Sequence, residues 1–226
     1  MLFTDKLVPL LLDGVVVEGI LKVPIQATGL VIYAHEGVAN HASSHCRYLA
    51  KQLLTGDLGI LCVDLLTSSE LRSTDLSTNV ELLTRRLLAI CQWAQKQPAL
   101  HGQRLGLLAS GVSATAALKV AVMLGKEIGA VVTFAGHLDL ITSVIASVKV
   151  PTLLLVSAEL GSQWREHVQP ALRKPGELHM ITSADSSLRE GTALQDVTKS
   201  AVAWYDHYLP IPAASLSLAA YWRLLY

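Results

Sequence analysis

The stretch Leu105–Leu118 constrains the fold of this chain more than any other. It begins with a short apolar run, Leu105–Ala109, of the kind found in strands that are buried on both faces, and it continues as an alanine-rich segment of helical composition. Gly111 stands at the junction, and a glycine adopts the positive φ of a sharp turn at little cost. We therefore predict a buried strand that turns directly into a helix.

The rest of the chain alternates between apolar runs and amphipathic segments. The predicted strands are Val15–Val23, Gly29–Ala34, Leu58–Leu66, Ala130–Phe134, Val150–Val156 and Glu177–Thr182. The predicted helices are Ser44–Leu54, Asn79–Lys96, Ser113–Leu124, Leu140–Ser147, Gln163–Leu172 and Thr192–Tyr208. Strands that alternate with helices are typical of parallel βαβ units. The sequence thus predicts an α/β fold, a mostly parallel twisted sheet with helices on both faces, over residues 1–209.

Composition narrows the function classes. A chain of 226 residues fits one α/β domain, and a hydrophobic fraction of 51% supplies a large core. Eighteen basic and eighteen acidic residues give a formal net charge of zero. Because proteins that bind nucleic acid carry a basic surface, we expect no nucleic-acid partner.

Cysteines and the N-terminus predict the compartment. Cys46, Cys62 and Cys91 are odd in number and widely spaced, with no CxxC pair, so we expect buried free thiols rather than a disulfide framework or a zinc site. No metal or cofactor is expected. The segment Met1–Leu12 lacks a basic region and a cleavage site, and it is too short to span a membrane. These features predict a cytoplasmic protein.

Eight short strings follow one another along the chain. They are Val31–His35, Arg47–Ala50, Val63–Thr67, Gln97–Ala99, Leu105–Gly106, Ala130–Val132, Asp139–Leu140 and Val150–Leu154. Their order and spacing resemble the dienelactone hydrolase branch of the α/β-hydrolase superfamily, over roughly residues 14–209. The resemblance implies the α/β-hydrolase fold, in which the turn at Gly111 is the nucleophile elbow.

The resemblance also implies where a catalytic triad would lie. The family has a nucleophile at the elbow, an acid after the strand that ends near Val156, and a histidine in the loop after the last strand. In this sequence those places hold Gly111, Leu160 and Ser186, and Glu159 stands one residue before the acid position. None of the three side chains can fill its role. We therefore expect a hydrolase fold without its triad.

The expected oxyanion hole differs as well. A hydrolase of this kind has His-Gly and small residues after the strand that ends at Ala34, so that backbone amides face the developing charge. Here the chain reads His35-Glu36-Gly37, and a glutamate would oppose a negative charge. We interpret His35 as a residue that braces the loop.

Ser113 offers an alternative nucleophile. The string Gly111–Thr115 also has a serine between small residues, and a catalytic Ser113 could use Glu159 as its acid and His137 as its base. His179 is a weaker candidate for the base because it falls within a predicted strand. The other interpretation of Ser113 is a helix N-cap, a position that serine favours.

The residues after Pro210-Ile211-Pro212 extend beyond the predicted end of the hydrolase fold. The prolines end the preceding helix, and Ala213–Tyr226 consists of good helix formers that are apolar on almost every side. We predict that this segment, within a tail of residues 210–226, docks onto another protein chain or mediates self-association. The contact residues would be Leu216, Leu218, Tyr221, Trp222 and Leu225. Packing onto its own domain is the alternative, and a membrane surface is a weaker option because Arg223 is the segment's single basic residue.

Three functions remain open at this point. The first is a non-catalytic scaffold or subunit that uses the hydrolase fold as a binding surface. The second is an ester or lactone hydrolase with Ser113 as a displaced nucleophile. The third is a sensor that binds a small molecule in the pocket over the elbow without converting it. The sequence favours the scaffold.

Overall fold

The computed structural model describes residues 3–25, 27–37, 43–97, 100, 103–181 and 191–209. The strands are β1 Phe3–Leu12, β2 Val15–Pro24, β3 Gly29–His35, β4 Leu58–Asp64, β5 Arg104–Ser110, β6 Ile128–Phe134, β7 Thr152–Ser157 and β8 Gly176–Ile181. The α-helices are α1 Ser44–Thr55, α2 Ser68–Leu71, α3 Thr74–Ser77, α4 Val80–Gln95, α5 Gly111–Leu124, α6 Leu138–Thr142, α7 Gly161–His167 and α8 Gly191–Tyr208. Ser186 and the tail 210–226 lie outside the described residues.

The eight strands form one sheet in the order β1-β2-β4-β3-β5-β6-β7-β8. The pairs β1–β2 and β2–β4 are antiparallel, and the other pairs are parallel. The predicted fold class, a mostly parallel sheet with helices on both faces, is confirmed. No helix within the described ranges is long and apolar enough to cross a membrane.

Two hydrophobic cores lie on opposite faces of the sheet. Consecutive residues of β3 alternate between them: Ile32 packs with the side chains of α4 and α5, and Val31 with those of α1 and α8. Because both faces are covered, the central strands are buried along their length. This is the physical reason that they read as continuous apolar runs in the sequence.

Helix α8 fixes the position of β5, the strand that leads to the elbow. The Tyr205 hydroxyl donates a buried hydrogen bond of 2.6 Å to the carbonyl of Leu107. Gly106 allows this approach, since a Cβ there would lie 2.8 Å from the Tyr205 ring. The contact holds the end of the chain's last described helix against the centre of the sheet.

Strand β1 was missed in the sequence analysis. It pairs with β2 through a two-residue turn in which Asp13 and Gly14 have φ of 49° and 80°. An Asp-Gly pair between apolar runs is a recognised hairpin signal, so the information was present. The short helices α2 and α3 were also missed, and the predicted helices Leu140–Ser147 and Gln163–Leu172 each divide into a short α-helix and a 3-10 turn.

A buried arginine ties α4 to α2 and to the residue that follows β4. Arg86, with 2% of its side chain exposed, donates to both carboxylate oxygens of Glu70 at 2.7 and 2.8 Å, and to the carbonyl of Leu65 at 2.7 Å. Its Nε lies 3.5 Å from Asp13. The Arg86 guanidinium lowers the pKa of Glu70 to about 2, against the opposing effect of burial. Asn79 caps α4 as predicted, accepting from the Leu82 amide at 3.0 Å.

The expectation of free thiols is wrong for two of the three cysteines. Cys46 in the first turn of α1 and Cys62 in β4 form a disulfide, with their Cα atoms 6.5 Å apart. Packing of α1 on the sheet brings the two together, and spacing along the sequence carries no sign of it. Cys91 is free and buried as expected, and burial raises its pKa. Because disulfides are rare in reducing compartments, this bond weakens the support for a cytoplasmic location, which stays a prediction.

Candidate functional site

The predicted strand–turn–helix is present at the carboxyl end of β5. The strand ends at Ser110, and α5 begins at Gly111, whose φ is +55°. This is the left-handed region, where a residue with a Cβ is strained and glycine is not. The turn therefore has the backbone geometry of an elbow, with glycine at its apex.

A carboxylate lies over this apex. Glu36 follows β3, and β3 pairs in parallel with β5, so the carboxyl ends of the two strands meet at one edge of the sheet. A Cβ built on Gly111 would lie 3.4 Å from Oε1 of Glu36 and 3.7 Å from its Oε2. The Glu36 carboxylate is therefore in van der Waals contact with the position that a side chain at residue 111 would take.

The same carboxylate caps helix α5. Its Oε1 accepts a hydrogen bond from the backbone amide of Ser113, in the first turn of the helix. Backbone amides at a helix N-terminus carry partial positive charge and favour an anion. The side chain of Ser110, at the N-cap position, makes no capping bond, so Glu36 supplies from a distant part of the chain what a local cap would otherwise supply.

His35, the residue before Glu36, is held as a neutral ring. Its ring centroid is 3.8 Å from that of Tyr33. Burial, and to a smaller extent the neighbouring His45, lower the pKa of His35 to about 3. Its Nε2 is enclosed and has no hydrogen-bond partner among the described residues. At neutral pH His35 thus carries no charge that could balance Glu36.

Ser113 is fully buried, with 0% of its surface exposed. Its Oγ is enclosed and without a hydrogen-bond partner in the described part of the chain. The N-cap interpretation of Ser113 is wrong, because the helix begins at Gly111 and Ser113 is its third residue. A glycine tolerates the turn conformation, so the helix starts two residues earlier than predicted.

The other candidate triad residues make no hydrogen bond to Ser113 within the described part of the chain. His137 and Glu159 are exposed, His137 just before α6 and Glu159 in a 3-10 turn after β7. Leu160 ends that turn with 49% of its surface exposed. His179 lies within β8 as predicted, and it forms an exposed hydrogen bond of 2.7 Å with Glu177. The described residues thus join none of these side chains to Ser113.

The described residues contain no group of three His, Cys, Asp or Glu side chains that could hold a metal ion.

No family profile matches the chain. Among solved structures, a dienelactone hydrolase from Anabaena variabilis is 30% identical and superimposes with a TM-score of 0.82, covering 92% of this chain and 99% of that one. The chain belongs to the dienelactone hydrolase family.

More distant structures share the fold of this dienelactone hydrolase family member. An esterase from an Arctic intertidal metagenomic library is 14% identical with a TM-score of 0.72, over 92% of this chain and 94% of that one. Est1E from Butyrivibrio proteoclasticus is 10% identical with a TM-score of 0.69, over 88% of this chain and 98% of that one.

Two curated relatives from Mycobacterium tuberculosis carry the name of phosphoribosyl transferase. Each is 30% identical over 213 residues, which is 93% of this chain and 48% of the relative. The chain thus spans about half the length of these relatives.

The sequence pattern predicts Glu36 as a charge that would oppose an oxyanion, but it does not predict where the carboxylate lies. In the structure the carboxylate contacts the apex position and accepts a hydrogen bond from the Ser113 amide. The available signal was topological. Glu36 follows one central strand and Gly111 the other, and neighbouring parallel strands bring such residues together.

Proposed function

We propose that this member of the dienelactone hydrolase family is a non-catalytic domain that acts as a scaffold or subunit in a protein assembly. One observation carries the proposal: the elbow apex is Gly111, and the Glu36 carboxylate lies in van der Waals contact with the position of a Cβ there. Acyl transfer needs a nucleophile at this apex and amides that are free to receive negative charge. Gly111 has no side chain, and the carboxylate already holds the Ser113 amide.

Electrostatics support the same proposal. An ester carbonyl that approached the apex would develop negative charge beside an existing carboxylate, which raises the barrier instead of lowering it. His35 is neutral at pH 7 because its pKa is about 3, so it offers no compensating charge. The burial of Ser113 further reduces the support for a displaced nucleophile.

Turnover and covalent labelling test this proposal together. The purified chain should hydrolyse p-nitrophenyl acetate and an unsaturated lactone no faster than buffer, and a serine-reactive fluorophosphonate should leave its mass unchanged. A Ser113→Ala variant serves as the matched control. If the parent shows turnover or labelling that Ser113→Ala removes, the chain is a hydrolase and the proposal fails.

The curated relatives support one class of partner. Since roughly half of each relative lies outside the matched region, its phosphoribosyl transferase name can belong to the other half. We propose that this domain associates with a phosphoribosyl transferase chain, with residues 213–226 as part of the contact. Affinity capture from the native cell should recover such a chain, and mass spectrometry would identify it. Recovery of unrelated proteins alone would remove this choice of partner.

A further inference from the structure

The sheet ends in two edge strands that differ in how open they are to another strand. The strand order places β1 at one edge and β8 at the other, and within the described part of the chain neither has a further strand beside it. β1 contains Pro9, and a proline in an edge strand turns its nitrogen, which has no hydrogen, to the open side. β8 contains neither proline nor lysine, the residues that commonly protect an edge. β8 is therefore the edge at which another strand can pair.

The backbone groups of alternate β8 residues face this open side. The Thr152 amide of β7 donates to the carbonyl of Pro175 at 3.1 Å, so the backbone groups of Pro175 point toward β7. Successive residues of a strand direct these groups to opposite sides. Those of Gly176, Leu178 and Met180 therefore point away from β7, where an incoming strand would meet them.

The exposed side chains of β8 are complementary to those of a second copy of the same strand. In an antiparallel pair centred on Leu178, Glu177 lies opposite His179 of the second copy, and the two-fold axis repeats this pair. Glu177 and His179 already bond each other at 2.7 Å within one chain, so they share a face of the strand and their chemistry matches. Because Leu178 faces its own copy through backbone hydrogen bonds, the Glu177–His179 pairs fall at the positions where facing side chains come closest.

The other face of β8 is complementary in shape. Leu178 and Met180 are only partly buried against the core of one chain. In the same register Leu178 meets Leu178 of the second copy at the axis. Met180 lies opposite Gly176 of the second copy, which has no side chain to oppose it. The pairing thus covers apolar surface that one chain leaves half exposed.

We propose that two copies of this chain pair through β8 in antiparallel orientation, with the two-fold axis at Leu178, and continue the sheet from one copy into the other. Each facing pair among Gly176, Leu178 and Met180 forms two backbone hydrogen bonds. The contact is isologous, so it closes at the dimer. Since a single strand pair is a small interface, the dimer dissociates in the micromolar range. The pairing does not depend on whether the domain is catalytic.

Light scattering on the full chain from low to high micromolar concentration tests the dimer. The mass should rise from 24.3 kDa toward twice that value. Glu177→Lys and His179→Glu should each weaken the dimer about tenfold, because two symmetry-related pairs change from favourable to unfavourable. Glu18→Lys makes the same change of charge on an exposed residue of β2, and as the matched control it should leave the dissociation constant unchanged.

An equimolar mixture of Glu177→Lys and His179→Glu tests the register. In the mixed dimer the introduced lysine faces the introduced glutamate, and the unchanged His179 faces the unchanged Glu177. The mixture should therefore dimerise with about the parent affinity, although each variant alone does not.

The backbone contribution has its own pair of variants. Leu178→Pro removes an amide that points away from β7, so the fold can accept it, and it should abolish the dimer. Leu178→Ala also shortens the side chain but keeps the amide, and it should retain the dimer. Circular dichroism checks that each variant is folded.

Three outcomes would overturn the proposal. One is a parent chain that stays monomeric at high micromolar concentration. Another is a dimer that both charge variants leave unchanged, which would place the contact elsewhere on the chain. The third is a mixture that dimerises no more tightly than its separate components. The turnover and labelling assays of the proposed function do not measure association, so the two proposals can fail separately.

Discussion

The Glu36 carboxylate accepts a hydrogen bond from the backbone amide of Ser113, a residue 77 positions further along the chain. This bond joins the loop after β3 to the first turn of α5 across the apex of the elbow. A negative charge at a helix N-terminus is stabilising, and here the charge belongs to the protein itself. The anion site at the N-terminus of α5 is therefore occupied by the protein's own carboxylate.

Removing this carboxylate should destabilise the domain. We expect Glu36→Ala to lower the free energy of unfolding by about 1 kcal/mol, the usual cost of losing a helix cap. Glu36→Gln should cost less, because the amide oxygen can still accept from Ser113. Urea unfolding at neutral pH measures both. Equal stability of Glu36→Ala and the parent would show that the bond does not support the helix.

Restoring a hydroxyl at the elbow should not restore catalysis. Gly111→Ser places a side chain against the Glu36 carboxylate without supplying a base, and triad residues act as a unit. Its rate with p-nitrophenyl acetate should equal that of the parent. Turnover above the parent rate would show that a base lies within reach, contrary to our account of the site.

Backbone strain at the elbow can be separated from contacts. Gly111 and Gly125 have nearly the same positive φ, +55° and +53°, but a Cβ at Gly125 would have no neighbour within 4 Å. We expect each glycine-to-alanine variant to lose about 1 kcal/mol of stability through strain, measured by thermal unfolding. A much larger loss in Gly111→Ala would mean that the contact with Glu36 is itself unfavourable. No loss would contradict a strained elbow.

The pair Glu70–Arg86 should make stability depend on pH. Because the pKa of Glu70 is lowered to about 2 in the folded chain, its contribution is present above the ordinary glutamate pKa and is lost as the pH falls toward 2. Glu70→Gln should cost about 2 kcal/mol at pH 7 and flatten the acid limb of the stability curve. The control Glu81→Gln, in an exposed ion pair with Lys119, should change stability by about 0.5 kcal/mol or less. Parallel acid limbs for Glu70→Gln and the parent would contradict this assignment.

Thiol titration of the denatured protein should find one free thiol among the three cysteines, since Cys46 and Cys62 are paired. Reduction should then expose two more and lower the stability by about 3 kcal/mol, the magnitude for closing a loop of this size. Three free thiols before reduction would contradict the disulfide.

The sequence by itself determined the order of the longer elements from β2 onward and the glycine at the apex of the elbow. Continuous apolar runs predicted the central strands, because strands that are covered on both faces have no polar side to display. Gly111 and Asn79 identified a turn and a helix start, since both act through local backbone geometry. Such features depend on neighbours a few residues away, and a sequence pattern records them directly.

The tertiary structure alone decided which side chains come into contact, at the elbow and elsewhere. Three contacts join residues on different elements: Glu36 with Gly111, Cys46 with Cys62, and Arg86 with Glu70. Each depends on which strands are neighbours and on which face a helix packs, and no spacing along the chain encodes that. Ser113 illustrates the point. Its residue type suits a cap or a nucleophile, but the helix begins two residues earlier and buries the hydroxyl.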